Sequence, residues 1–103
     1  LNIGDTTGVV LSAPGAATIL RTGMNTIIDT NAAAASDTVV TLTGKIGDII
    51  YVSSRNANRD LTFLDAGNFS LSAERVLSDP ADVLVLKATT TTAWKEVSFS
   101  DNN

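Results

Sequence analysis

The side chains that most often carry catalysis are absent, and the reactive groups that remain are carboxylates. The 103-residue chain has no histidine and no cysteine. Serine-histidine and cysteine-histidine nucleophiles therefore cannot be built from it, nor can imidazole or thiolate metal sites. Asp29, Asp37, Asp48, Asp60, Asp65, Asp79 and Asp82 all stand in or beside turn-forming stretches, where a carboxylate accepts hydrogen bonds from backbone amides. A two-carboxylate glycosidase needs a pair about 5–9.5 Å apart in a cleft lined for sugar, and one short domain with a single tryptophan is poor material for that. Asp79 and Asp82 flank Pro80, and Asp101, Asn102 and Asn103 end the sequence, but no stretch has the alternating oxygen ligands of a calcium loop. Gly44 and Gly47 lack the Gly-Lys-Ser/Thr ending of a phosphate loop. We expect no enzyme, no cofactor and no metal.

Recognition is a better use for what is present. The most polar stretch, residues 53–60, carries Arg55, Asn56, Asn58 and Arg59, which can form forked hydrogen bonds. It reads as a hairpin loop; contact with a neighbouring subunit or a glycan is its functional alternative. Near the end, strict alternation puts Ala93, Val97 and Phe99 on one face and Trp94, Glu96 and Ser98 on the other. An amphipathic indole beside a carboxylate suits a rim or a subunit contact better than a core. Asn68-Phe69-Ser70 fits the N-glycosylation rule, which has meaning only on a eukaryotic secretory route.

Composition limits the partners. Seven Lys and Arg against eleven Asp and Glu leave a net charge of −4, with no basic cluster to offset it, so nucleic acid is not expected. The longest strongly apolar runs, 9–11 and 83–86, are far short of the roughly 20 residues of a membrane helix, and no basic start leads into an apolar stretch; no membrane partner is expected. The opening Leu1 in place of Met leads us to expect further residues upstream.

The elements that must position these groups are strands. Hydrophobic residues make up 44% of the chain but aromatics only 5%, so the core must come from Val, Leu, Ile and Ala, with Tyr51, Phe63, Phe69, Trp94 and Phe99 as scarce large anchors. Short Thr/Val/Ile/Leu runs separated by Gly, Asn, Asp and Ser predict strands at about 8–12, 17–21, 25–29, 38–43, 48–54, 60–64, 68–72, 83–88 and 92–99. The alanine stretch 31–36 is too short for an isolated helix and reads as a loop or one turn. Turns are signalled at 13–16 by Pro14-Gly15 and at 65–68 by Asp65 and Gly67. The runs 49–52 and 83–86 lack polar alternation, which predicts central strands covered on both faces. Residues 40–52 and 69–86 share a pattern, apolar-x-Leu-Thr/Ser, a polar turn, then Asp and four apolar or aromatic residues, read as strand pairs closed by connections. The expectation is one domain, an all-β antiparallel sandwich or barrel of jelly-roll type with eight or nine short strands. Residues 1–37 would form an N-terminal arm and the first strands, and 38–103 the sandwich core.

The order of these elements resembles a family. Gly47 and Asp48, the strand from Ile49 to Val52, the Asn-rich stretch from Asn56 to Leu64, the Asp82 to Leu86 strand and Trp94 to Glu96 are similar to the small β domains of tailed-bacteriophage virion proteins. Such domains usually place an Asp-Gly turn before the tryptophan; here Thr89 to Thr92 stand instead, implying a tip that needs no positive φ. The resemblance implies a homotrimer with a structural role at the outer surface of the virion, as a capsid decoration or cement protein that binds the major capsid protein. The alternative it allows is the tip of a tail fibre recognising a host surface glycan through Trp94 and the 53–60 loop. Trp94, Arg55, Asn56, Asn58 and Arg59 are the candidate subunit or ligand contacts on either reading.

Overall fold

The computed structural model describes residues 6–12, 15–19 and 25–101. Eleven strands account for most of them: β1 (Thr6–Val10), β2 (Ala16–Thr18), β3 (Asn25–Asp29), β4 (Ser36–Thr38), β5 (Thr41–Thr43), β6 (Ile49–Ser54), β7 (Asp60–Phe63), β8 (Phe69–Ser70), β9 (Arg75–Leu77), β10 (Val83–Ala88) and β11 (Trp94–Ser100). The only helical piece among the described residues is a 3-10 turn, Asn31–Ala33. The all-β architecture stands as expected. Of the sequence expectations, positions 20 and 21 of the second strand, Pro14 of the first turn, and Asn102 and Asn103 lie outside the described residues.

Three sheets enclose one core. The largest has the order β1-β3-β6-β10-β11-β8, a second pairs β2 with β5, and a third has the order β4-β7-β9. The expected antiparallel pairing needs correction: β1-β3, β3-β6, β2-β5, β4-β7 and β8-β11 are parallel, and only β6-β10, β10-β11 and β7-β9 are antiparallel. Parallel neighbours need a long crossover, normally helical. Here strands of the other sheets lie between the parallel partners, so the described strands from β1 to β7 follow a coil. Each partner lies one circuit further on: Ala16 faces Thr41, Asn25 faces Tyr51 and Ser36 faces Asp60.

The corners of the coil explain why the run 38–43, expected as one strand, is two. Val39 N–H donates to the Thr62 carbonyl in the three-stranded sheet, and Val40 N–H donates to the Gly15 carbonyl beside the two-stranded one. The chain changes sheets between these two residues. Gly15 fits the corner because its φ is +112° and a Cβ there would lie 2.1 Å from the Thr38 carbonyl oxygen, so no other residue is tolerated. The related stretches 40–52 and 69–86 are not hairpins: β5 and β6 sit in different sheets, and β9 intervenes between β8 and β10.

Inward side chains from all three sheets meet in the middle. Ile28, Ile50, Val52, Leu84 and Leu86 come from the large sheet, Leu61, Phe63 and Leu77 from the three-stranded one and Leu42 from the pair. Phe63 and Phe69 pack edge to face with centroids 5.3 Å apart, a favoured aromatic arrangement. β6 and β10 are central as expected, but they alternate between buried and exposed positions. Ile49 and Tyr51 are each 38% exposed, so within this chain the outer face of the two most apolar strands is not covered.

Candidate docking faces

The terminal hairpin is the expected β10-β11 pair, but its faces are not those of strict alternation. Ala88 pairs with Trp94 and Leu86 with Glu96, whereas Val85 pairs with Ser98 and Leu84 with Phe99. Val97 is the extra residue of a β-bulge, and a bulge shifts every later side chain by one position. Trp94 and Glu96 therefore point inward before it, Phe99 packs on the core after it, and Val97 is exposed. Trp94 is only 1% exposed and its Nε1–H donates to the Leu42 carbonyl at 2.8 Å. The expectation of a rim or ligand-contact tryptophan is corrected: the indole is a core anchor of this chain, with its polar handle satisfied internally. The Thr89–Thr92 tip behaves as the sequence implies. None of the four has a positive φ; Thr90 Oγ1 accepts from the amides of Thr92 and Ala93, and the Thr91 carbonyl accepts from Gly44 N–H.

The 53–60 loop is also tied to its own chain. β3 and β6 run parallel with Ile28 opposite Ser54, which brings Asp29 beside the loop that follows β6. Arg59 Nη1 donates to both Asp29 carboxylate oxygens at 2.9 and 2.8 Å, and Arg55 Nε lies 3.8 Å from Oδ2. Asn56 Oδ1 accepts from Asn58 N–H at 2.8 Å, a local turn that fixes the loop's shape. Arg55 and Asn58 remain exposed at its surface, while Asn56 and Arg59 are half-buried. Trp94 lies in the core, so the structure does not join it to the four loop residues in one open site.

The remaining carboxylates mostly do what their positions suggested. Asp37 accepts from Asn31 N–H, Asp48 from Lys45 N–H, Asp65 from Leu71 N–H, Asp79 from Ala81 N–H and Asp82 from Ser78 N–H. One pair escaped sequence reasoning altogether. Arg75 Nε and Nη2 reach the two Glu96 oxygens at 2.6 and 3.0 Å, and the guanidinium carbon sits 4.7 Å from the Phe99 ring centroid. Hydrogen bonding from Arg75 holds the Glu96 carboxyl below the usual carboxylate range, partly opposed by burial and helped by Ser72. Its only sequence signal was a lone Glu among apolar strand residues, and the unseen bulge hid which way it points.

What the surface does offer is two contrasting sheet faces. On the large sheet Tyr51 pairs with Val85, and Ile49 pairs with Lys87, which in turn pairs with Lys95; cross-strand partners share a face. The outer face of the three-stranded sheet places Val76 opposite Thr62, which in turn faces Thr38, with exposed Leu64, Asp65 and Glu74 at its end. An open groove of about 180 Å³ runs beside it, lined by Val40, Leu64, Asn68 and Phe69 among others. The fold and these faces define an all-β protein with two uncovered sheet faces. A scan against models of protein families matches none of them, and a comparison with curated proteins finds no match either.

Proposed function

We propose that this chain is a structural protein of a virion exterior, which binds the major capsid protein as a homotrimer and stabilises the capsid lattice. The observation that carries the reading is the uncovered outer face of the large sheet, with Ile49 and Tyr51 exposed on central β6 and Val97 exposed on β11. Clustered exposed apolar side chains mark protein interaction sites more often than they occur by chance, and a tyrosine there supplies rigid contact area at low entropic cost. The ordered resemblance from Gly47 to Glu96 supplies the virion setting. A glycan-binding fibre tip would use Trp94 as its stacking platform; with that ring in the core the reading loses its main support.

The test is to add purified protein to expanded, undecorated heads of a tailed phage and follow co-sedimentation and the heads' thermal disruption. Co-sedimentation at saturating stoichiometry with a raised disruption temperature is the expected result. Free protein in the supernatant at every concentration, with heads no more resistant, rules the proposal out.

A further inference from the structure

The charges are sorted in a way that composition does not show. All three described arginines are engaged with the chain's own carboxylates, Arg55 and Arg59 with Asp29 and Arg75 with Glu96. Lys45, Lys87 and Lys95 make no salt bridge among the described residues, and they gather at one end of the large sheet. Lys87 and Lys95 are cross-strand partners, and Lys45 lies in the turn that leads into β6, where Gly47 N–H donates to the Ala88 carbonyl next to Lys87. Like charges directly opposite on a sheet destabilise it, and carboxylates from a second molecule would relieve this pair. Beside the lysines lie Ile49, Tyr51 and Val85, and no carboxylate occupies an outer position of β6 or β10.

The other exposed face is its converse. No lysine falls on β4, β7 or β9. Exposed apolar Val76 in the middle and Leu64 just past β7 are bordered by Asp60 at the start of β7 and by Asp65 and Glu74 at the far end. One face is thus apolar with a basic edge, and the other apolar with acidic edges, on the same molecule.

We infer that these two faces bind each other between copies: the outer face of the large sheet of one protomer docks on the outer face of the β4-β7-β9 sheet of the next. This is a heterologous contact, which closes into a ring or runs on as a chain according to the angle between the faces. Apolar centres bury against each other, and the lysine edge meets Asp60 and Glu74, fixing the register by charge complementarity. The inference rests only on the self-association within the proposed function, and it stands or falls without any capsid.

The experiment uses purified full chain in sedimentation velocity across a hundredfold concentration range, at low salt and at 0.5 M NaCl. Concentration-dependent association is expected, weakened at least tenfold by the salt. Lys87→Glu with Lys95→Glu should be monomeric, as should Asp60→Lys with Glu74→Lys, each showing the native circular dichroism of the parent. Mixing the two variants restores both complementary contacts and should restore association. A parent that stays monomeric throughout overturns the inference, as do variants that associate like the parent or a mixture that stays monomeric. Capsid binding by a protein that never self-associates would reject this inference while leaving the lattice-binding half of the proposal intact.

Discussion

The indole Nε1–H of Trp94 donates a 2.8 Å hydrogen bond to the carbonyl oxygen of Leu42, joining the last hairpin to the two-stranded sheet. The contact binds the antiparallel end of the chain to the coil that precedes it, and the ring is buried among core residues. Trp94→Ala removes a large buried side chain and should cost about 3–5 kcal/mol. Trp94→Phe keeps most of the apolar volume but takes a partner from the Leu42 carbonyl, costing about 1–3 kcal/mol. Urea unfolding followed by circular dichroism checks the order, and a Trp94→Ala cost near zero would show the ring is not a core anchor.

Gly44 is where the indole needs room. A Cβ at Gly44 would lie 3.0 Å from Trp94 Cζ2 and 3.1 Å from Asp48 Oδ2. Gly44→Ala should destabilise by about 1–3 kcal/mol through overpacking. Combined with Trp94→Phe, which removes the crowding ring atoms, its cost should shrink, giving a double-mutant cycle that is not additive. Additive costs would place the strain elsewhere.

These two residues show where the sequence was readable. Turn carboxylates such as Asp48 and Asp79 act on amides two or three positions away, so local chemistry identified them. The strand character of β6, β10 and β11 was likewise plain from β-branched runs. Trp94's place depended on Leu42 and Gly44, about fifty residues away, and on a bulge at Val97 that no local pattern announces. The parallel coil was hidden for a similar reason: the Thr38 to Thr43 run looks continuous, and only the approach of Gly15 and Thr62 from distant segments turns it at Val39 and Val40. Strand β9, three residues with a charged start, was too short to stand out. Arg55 and Arg59 looked free because their partner, Asp29, precedes them by a whole circuit of the coil.

Ala32 is the one non-glycine residue with positive φ among the described residues, at 52°. The left-handed region costs an L-residue about 1–2 kcal/mol, and glycine gives back part of the relief as unfolded-state entropy. Ala32→Gly should therefore raise stability by about 0.5–1 kcal/mol in thermal or urea unfolding. A loss of stability would mean that the turn at Asn31–Ala33 does not hold this conformation in solution.

The Arg75-Glu96 pair gives a pH signature. Arg75 holds the Glu96 carboxyl below its unfolded value, so the pair's contribution is fully present above the unfolded carboxylate pKa of about 4.3 and fades as pH falls through the lower folded value. Glu96→Gln should cost about 1–2 kcal/mol at pH 7, since Arg75 can still reach water, and the gap to the parent should narrow steadily below about pH 4. A gap unchanged between pH 7 and pH 2.5 would contradict the assignment.

The outer face of the large sheet should be covered when the protein works. Hydroxyl-radical footprinting of the chain, as the dilute monomer and as the self-associated protein bound to undecorated heads, reads this at Tyr51, a reactive ring exposed in the isolated chain. The account predicts that Tyr51 loses most of its labelling on binding, while Val10, on the edge strand β1, keeps its own. Equal labelling of Tyr51 in the dilute monomer and in the bound protein would contradict it.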